Sequence, residues 1–365
     1  MTGRVQRIAI LGATGSVGSQ ALQVIDRYPD RFQLLGLVCG RRPAPRPAEV
    51  IIAGGEPDFD ARLEALVTDS RCDIVLVAIP GAVSLRPTLA ALAAGKTVAI
   101  ASKEVLVMAG QAVMAAVGRP DQLRPVDSEH SALWQCLWGE SPASVSRLLL
   151  TASGGPFWSR PELELEQVTV AEALKHPRWS MGPKVTVDSA TLMNKGLELI
   201  EAHHLFQVGL AGIDVVIHPQ SVVHSLVEFV DGSLKAQLGN PDMRLPIGLA
   251  LAYPERLPGV VEPTRLDSLE SLAFEALDSQ RFPAVELCRE AARRARGYPA
   301  VLNASNEEAV AAFLAGRIAF TGILAAVESA LAAWPGGGGE DLAAVLAADT
   351  FARNHFRERL VKVST

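Results

Sequence analysis

Short apolar runs separated by glycine turns and helix-like stretches fill the first third of the chain. Arg7–Leu11, Gln33–Val38, Ile74–Ala78 and Thr97–Ile100 are each of strand length. Ser19–Tyr28 reads as a helix, and Leu89–Ala94 is an alanine-rich helix closed by Gly95, a common helix stop. Strands alternating with helices predict a parallel sheet with crossover helices. From about Val126 the character changes. Val145–Ala152 and Val215–Ile217 are β-like, and Val222–Phe229 and Ser233–Leu238 form a hairpin pattern around Asp231-Gly232. Residues 253–265 are proline-rich and read as a linker. From about Asp278 onward alanine, leucine and charged residues recur at helical spacing, interrupted by Pro335 and Gly336–Gly339. The expected fold is α/β: a Rossmann-like parallel-sheet domain over residues 1–126, an α+β domain over 127–252, a linker over 253–277 and a helical bundle over 278–365. No internal repeat is visible.

Composition narrows the functional classes. The 365 residues are 49% hydrophobic and 20% charged, so the chain can bury sizeable cores. A net charge of −6 and a pI near 5.7 argue against a general nucleic-acid binder, and no basic run with interleaved aromatics occurs. The four cysteines, Cys39, Cys72, Cys136 and Cys288, are scattered, which suits a reducing, cytoplasmic setting and gives no zinc signature. No apolar run approaches the roughly 18 residues of a membrane span, and the short run Ile8–Leu11 is a strand rather than a signal peptide.

The stretch Gly12-Ala13-Thr14-Gly15-Ser16-Val17-Gly18 lies between the first strand and the first helix. This G-x-x-G-x-x-G spacing is a variant of the dinucleotide fingerprint, in which glycines let the backbone approach a pyrophosphate at a helix N-terminus. The second strand ends in Val38-Cys39-Gly40-Arg41-Arg42, without the carboxylate usual for NAD. Two guanidinium groups suit a 2′-phosphate, so NADP(H) is favoured over NAD, the alternative being two solvated surface arginines.

Asp127-Ser128-Glu129 follows an Arg124-Pro125-Val126 lead-in. Pro125 favours extended backbone before it, and an extended triplet would place both carboxylates on one face. Such a pair either holds a hard divalent cation or is a solvated turn. Lys103 follows the Thr97–Ala101 strand, where parallel sheets bind ligands, and can neutralise a developing oxyanion. Thr151–Pro156, with Ser153, is a glycine-rich turn suited to an anion. His176–Lys184 carries a histidine, Trp179 and a methionine in a segment broken by two prolines and a glycine, either a lid or a structural loop. Farther on, Ser189, Asn194 and Lys195 can donate to phosphate oxygens. If Leu192–His203 is a helix, Asn194 and Glu198 share a face, and Glu198 is a third oxygen ligand or an ordinary exposed glutamate. His203, His204, His218 and His224 read as structural.

With these residues in view, the chain resembles the 1-deoxy-D-xylulose 5-phosphate reductoisomerase family. The most specific segments are Gly12–Gly18, Pro125–His130, Ser153–Phe157, His176–Gly182, Val187–Glu201, His218–His224 and Gly239–Arg244. The resemblance implies an NADPH-binding domain, a catalytic domain with a lid around 176–184, a linker and a helical domain, as a homodimer. It implies a divalent metal (Mn²⁺, Mg²⁺ or Co²⁺) on Asp127, Glu129 and Glu198, and catalytic roles for Lys103, Glu129 and His176. Substrate contacts would come from Lys103, Ser128, Glu129, Ser153, His176, Trp179, Ser189, Asn194, Lys195 and Glu198. The cofactor would be lined by Thr14, Gly15, Ser16, Val17, Gly40, Arg41, Arg42, Glu104 and Gly182, with Met243 near the nicotinamide. Ser102 and Arg42 stand where the family commonly has asparagine, and Ser102 is the shorter side chain for a cofactor contact. The reaction implied is metal-assisted rearrangement and NADPH reduction of 1-deoxy-D-xylulose 5-phosphate to 2-C-methyl-D-erythritol 4-phosphate in non-mevalonate isoprenoid synthesis, with a sugar phosphate as the small-molecule partner. Two rivals remain: a semialdehyde-type dehydrogenase, for which Cys136 is the candidate nucleophile, and an NADPH-sensing regulator without catalysis.

Overall fold

A computed structural model describes residues 4–176, 181–337 and 341–363, with side chains to residue 360. The first elements are β1 (Gln6–Leu11), α1 (Ser16–Arg27), β2 (Phe32–Cys39), β3 (Val50–Ala53), α2 (Phe59–Thr68), β4 (Ile74–Val77) and α3 (Leu85–Ala93). They continue as β5 (Thr97–Ile100), α4 (Glu104–Ala115), β6 (Leu123–Pro125) and α5 (Ser128–Leu137). Next come β7 (Val145–Ala152), α6 (Val170–Ala173), α7 (Pro183–Ala190), α8 (Met193–Phe206), β8 (Ile213–Ile217), β9 (Val223–Phe229) and β10 (Leu234–Leu238). The chain ends with α9 (Arg244–Ala252), β11 (Glu275–Ala276), α10 (Ala284–Arg294), α11 (Tyr298–Leu314), α12 (Thr321–Ala333) and α13 (Leu342–Val363). Among the described residues no helix is long and apolar enough to cross a membrane.

Two compact units result. The first takes Met1–Val105, Val113–Trp134 and Asp242–Thr264, and the second takes Leu106–Ala112, Gln135–Pro241 and Arg265–Thr365. The first unit is built on a six-stranded sheet in the order β3-β2-β1-β4-β5-β6, every pair parallel. The order reverses between β1 and β4, where doubly wound sheets open a ligand crevice at the strands' C-terminal ends. Its core joins Ile8, Ile10, Leu37 and Leu76 of the sheet to Ala21, Val24 and Ile25 of α1 and to Ile247, Ala250 and Leu251 of α9. The linear boundaries therefore differ from the packing. Helix α9 and the proline-rich segment after it belong to the first unit, where Leu257 is in the core and the Tyr28 hydroxyl donates to the Pro258 carbonyl at 2.9 Å. Apolar burial against the sheet outweighs the separation in sequence.

The second unit contains a mixed five-stranded sheet, β10-β9-β7-β8-β11, in which only β7 and β8 are parallel. The β9–β10 hairpin turns at Asp231-Gly232 as its sequence demands: Gly232 has φ +84°, and the Asp231 carboxylate accepts from the Ser233 amide and hydroxyl. Helix α8 packs on α10 so closely that a Cβ on Gly196 would lie 2.5 Å from the Cys288 sulfur. Helices α11, α12 and α13 pack together as the C-terminal helical region.

The first turn of α1 packs closely on the turn after β1. A Cβ on Gly18 would lie 2.3 Å from the Gly12 carbonyl oxygen, whereas one on Gly40 would meet nothing within 4 Å. Gly18→Ala should therefore lower unfolding free energy by about 1–3 kcal/mol, the usual range for overpacking, while Gly40→Ala changes it far less. Denaturant titration of both variants checks this, and equal midpoints would contradict it.

Candidate active site

The nucleotide turn is assembled as its spacing implies. Gly12 has φ +94°, and a Cβ there would lie 2.4 Å from the Ala78 carbonyl oxygen at the end of β4. Gly15 ends the turn in extended backbone, and α1 begins at Ser16 with no side-chain cap and no acidic residue in its first turn. The first-turn N–H groups are thus left for an anion, which the helix dipole also favours. Thr14, Gly15 and Val17 are half-buried and Ser16 is exposed. Arg42 donates to the Thr14 carbonyl and so lies over the turn, while Gly40 and Arg41 are exposed at the end of β2. The glycine cradle and its basic edge fit a dinucleotide phosphate. Met243, which immediately precedes α9, packs against the same core. Ser102, an expected cofactor position, is buried, with its hydroxyl 2.7 Å from the Ile79 carbonyl and 3.3 Å from that of Val77. Its short side chain reaches the backbone after β4 and braces that strand end.

The triplet at 127–129 is not extended. β6 stops at Pro125 and α5 starts at Ser128. The Asp127 carbonyl accepts from the Ser131 amide at 2.8 Å, and its side chain accepts from the Glu129 amide at 3.3 Å. Asp127 is therefore the helix N-cap, a position aspartate favours because its carboxylate receives otherwise unpaired amides. Glu129 lies in the first turn, where the dipole favours negative charge. The Ser128 hydroxyl donates to the Glu129 carboxylate at 2.7 Å.

Adjacent strands bring Lys103 and Asp127 together, one after β5 and the other after β6. Lys103 Nζ lies 2.6 Å from Asp127 Oδ2, and the two side chains are only 11% and 10% exposed. His130, one turn into α5, is fully buried with Nδ1 3.5 Å from Asp127 Oδ1. Burial alone would raise the Asp127 pKa, but Lys103 and His130 outweigh it and hold the carboxyl well below its ordinary value. Asp127 is ionised, as an oxygen ligand for a hard cation must be. Glu104 begins α4 and is buried beside Lys103 in sequence. His130 is a site residue that the sequence reading did not single out. The available signal was a histidine three residues after an N-cap aspartate, one helical turn away.

The second unit gathers the phosphate-type donors. Ser153 follows β7 and begins the turn at Gly154 (φ +84°) and Gly155 (φ +67°). A Cβ on Gly155 would lie 2.6 Å from the Ser189 carbonyl oxygen, so glycine permits this loop to press on α7. The Ser153 hydroxyl lies 3.1 Å from His176 Nε2 and accepts from the Gly155 amide at 3.3 Å. Burial lowers the His176 pKa to about 4. Gly182 precedes α7, where its carbonyl accepts from Thr186. Trp179 lies among residues 177–180, outside those described.

Helix α8 confirms the expected side-chain spacing: Asn194 and Lys195 both donate to the Glu198 carboxylate. Glu198 is buried and ion-paired rather than solvated. Ser189 is buried near the end of α7, and Leu192 (φ +61°) breaks the chain between α7 and α8. His203 contacts the Val208 carbonyl through Nδ1 at 2.7 Å, and His204 fills the space beside Gly110. His218 Nδ1 faces the Ala273 carbonyl while Nε2 accepts from the Val222 and Val223 amides. His224 Nε2 lies 3.1 Å from the Gly239 carbonyl. The one rival nucleophile is excluded by its surroundings: Cys136 is buried, and burial raises its thiol to about 11.

The fold and the two residue sets define a nucleotide-binding enzyme class with acidic, lysine-paired centres. Family models identify it further. The 1-deoxy-D-xylulose 5-phosphate reductoisomerase model matches residues 8–53 and 55–110, its C-terminal domain model matches 123–206, and the DXP reductoisomerase C-terminal domain model matches 238–355. A 1-deoxy-D-xylulose 5-phosphate reductoisomerase from Symbiobacterium thermophilum is 49% identical over 98% of this chain and 99% of its own. One from Pseudomonas fluorescens is 49% identical over 96% of both. A crystal structure of DOX-P reductoisomerase with NADPH, fosmidomycin and magnesium is 39% identical, covers 99% of this chain and 100% of its own, and superposes with a TM-score of 0.88. The Zymomonas mobilis enzyme in complex with NADPH is also 39% identical, with a TM-score of 0.87 and 98% and 99% coverage. This chain belongs to the 1-deoxy-D-xylulose 5-phosphate reductoisomerase family.

Burial is the leading cause that lowers the pKa values of His176, His204 and His224 to about 4 from the ordinary 6.5. Unfolding exposes these rings and lets them bind protons between those values, so the folded state loses stability as pH falls from 6.5 toward 4. The denaturant midpoint should already drop between pH 6.5 and 5, before most carboxylates titrate. A flat profile there would contradict the buried, neutral state.

Proposed function

We propose that this protein converts 1-deoxy-D-xylulose 5-phosphate to 2-C-methyl-D-erythritol 4-phosphate with NADPH and a divalent metal ion. The observation that carries the reading is the ionised Asp127–Lys103 pair at the C-terminal edge of a parallel sheet that also carries the Gly12–Gly18 turn. Asp127, Glu129 and Glu198 are the proposed metal ligands, a set of carboxylate oxygens suited to Mg²⁺ or Mn²⁺. When bound, the ion supplies Lewis-acid stabilisation of oxygen-centred charge, and NADPH supplies the hydride.

The chain's own residues do the remaining work. Lys103 keeps Asp127 charged and presents its ammonium to the substrate carbonyl and hydroxyl oxygens. Ser128 orients Glu129 through its hydroxyl. Ser153, Ser189, Asn194 and Lys195 bind the phosphate, far enough from the reacting carbons to spend binding energy on orientation. His176, in contact with Ser153, joins the phosphate turn to the proposed lid at 176–184, which excludes water with Trp179. Thr14–Val17, Gly40, Arg41, Arg42, Ser102, Glu104, Gly182 and Met243 are the proposed cofactor positions, with Ser102 acting through the strand end it braces. The proposed setting is non-mevalonate isoprenoid synthesis in the cytoplasm, by a homodimer.

Absorbance of NADPH should fall on addition of 1-deoxy-D-xylulose 5-phosphate with Mg²⁺ or Mn²⁺ and stop on chelation. Oxidation that persists without metal, or none in folded protein that binds NADPH, would overturn the reading. Glu129→Gln should cut turnover by at least about tenfold and leave the NADPH dissociation constant unchanged. Arg42→Ala should weaken NADPH by about tenfold or more, as loss of a charge-assisted bond of roughly 1.5–3 kcal/mol implies, with little change for NADH. Equal losses for both cofactors would assign Arg42 to the turn's structure instead.

A further inference from the structure

Asp188 is 1% exposed, next to Ser189 in α7. A carboxylate so deeply buried requires compensating partners. One oxygen accepts from the Asn306 side-chain amide at 2.8 Å, and the other lies 2.9 Å from Lys184 Nζ. Asn306 is itself fully buried, in the middle of α11. Asparagine is a poor residue for a helix interior unless its amide has a partner, and here the partner lies on another helix. Within α7 the pair is oriented against the helix dipole, with lysine at the start and aspartate at the end. Helix preference does not explain that arrangement, whereas a requirement to hold α7 in place does. Two turns of helix are marginal without tertiary support, and α7 packs on α11.

The geometry points to Asp188 and Asn306 as positioning residues for the phosphate end of the substrate. Asn306 ties the C-terminal helices to Asp188. Asp188 in turn fixes Ser189 beside it and, through Lys184, the end of the segment proposed as a lid. The clamp sets where the Ser189 hydroxyl and the following Asn194 and Lys195 donors stand. This inference rests on the reading that those three residues bind phosphate.

The test uses steady-state kinetics of the full chain with NADPH and Mg²⁺. Asn306→Asp places a second carboxylate against Asp188 and should lower kcat/KM for 1-deoxy-D-xylulose 5-phosphate tenfold or more, mainly through KM. The KM for NADPH should stay within twofold. The reciprocal double variant Asp188→Asn with Asn306→Asp restores an amide–carboxylate bond and should recover most of the loss. Should Asn306→Asp fail to fold, Asn306→Ser removes the amide without adding charge and carries the same kinetic readout. A loss under twofold, a loss equally large in the NADPH KM, or no recovery in a folded double variant would overturn the clamp. Lys195→Met separates the two levels. If it leaves the substrate KM unchanged, the phosphate reading fails. If it raises that KM while the Asn306 variants do not, only the clamp fails.

Discussion

Charge kept out of water and matched by a lysine organises the candidate site residues of each unit. In the first, Asp127 is held ionised against burial by Lys103, and the match requires β5 and β6 to end side by side. In the second, Glu198 is buried against Lys195 and Asn194 on one helix face. Removing a partner from such a pair leaves a stranded charge, which costs far more than the pair contributes. The strand ends, the start of α5 and the face of α8 are therefore constrained by electrostatics as well as by packing.

In the proposed reaction those constraints serve a division of labour. The first unit supplies the glycine turn with an uncapped helix start, plus a carboxylate, a lysine and a histidine at neighbouring strand ends. The second supplies hydroxyl, amide and ammonium donors from a loop and two short-spaced helices. Catalysis by rearrangement and reduction needs both kinds of chemistry, charge stabilisation at the reacting oxygens and a grip on a remote anion. Family membership and the separate character of the two residue sets support the same assignment.

Much of this was legible from residues. The β1–turn–α1 unit was visible because glycine spacing and an apolar strand coincide, and Asp231-Gly232 specified the hairpin by local geometry alone. The Asn194–Glu198 spacing was right because a helix fixes i,i+4 neighbours. The extended triplet that Pro125 suggests does not form, since Asp127's capping preference ends the extended run and starts α5. The attachment of α9 to the first sheet was hidden because it depends on contacts spanning more than a hundred residues, which no period reveals. Strand β3 was missed because it is a four-residue edge strand with Ile51 exposed. Ser102 illustrates a further limit: its hydroxyl is used by backbone carbonyls that sequence cannot place.

In the proposed metal site, Asp127, Glu129 and Glu198 together hold one divalent ion. Paramagnetic relaxation of water protons by Mn²⁺, titrated with the full-length protein and with Glu198→Gln, tests it without any turnover. A single strong Mn²⁺ site is expected, with affinity in the variant lower by at least about tenfold, since loss of a direct ligand costs no less than loss of an outer-shell partner. Unchanged affinity in folded Glu198→Gln would contradict it and leave Asp127 and Glu129 without their proposed third ligand.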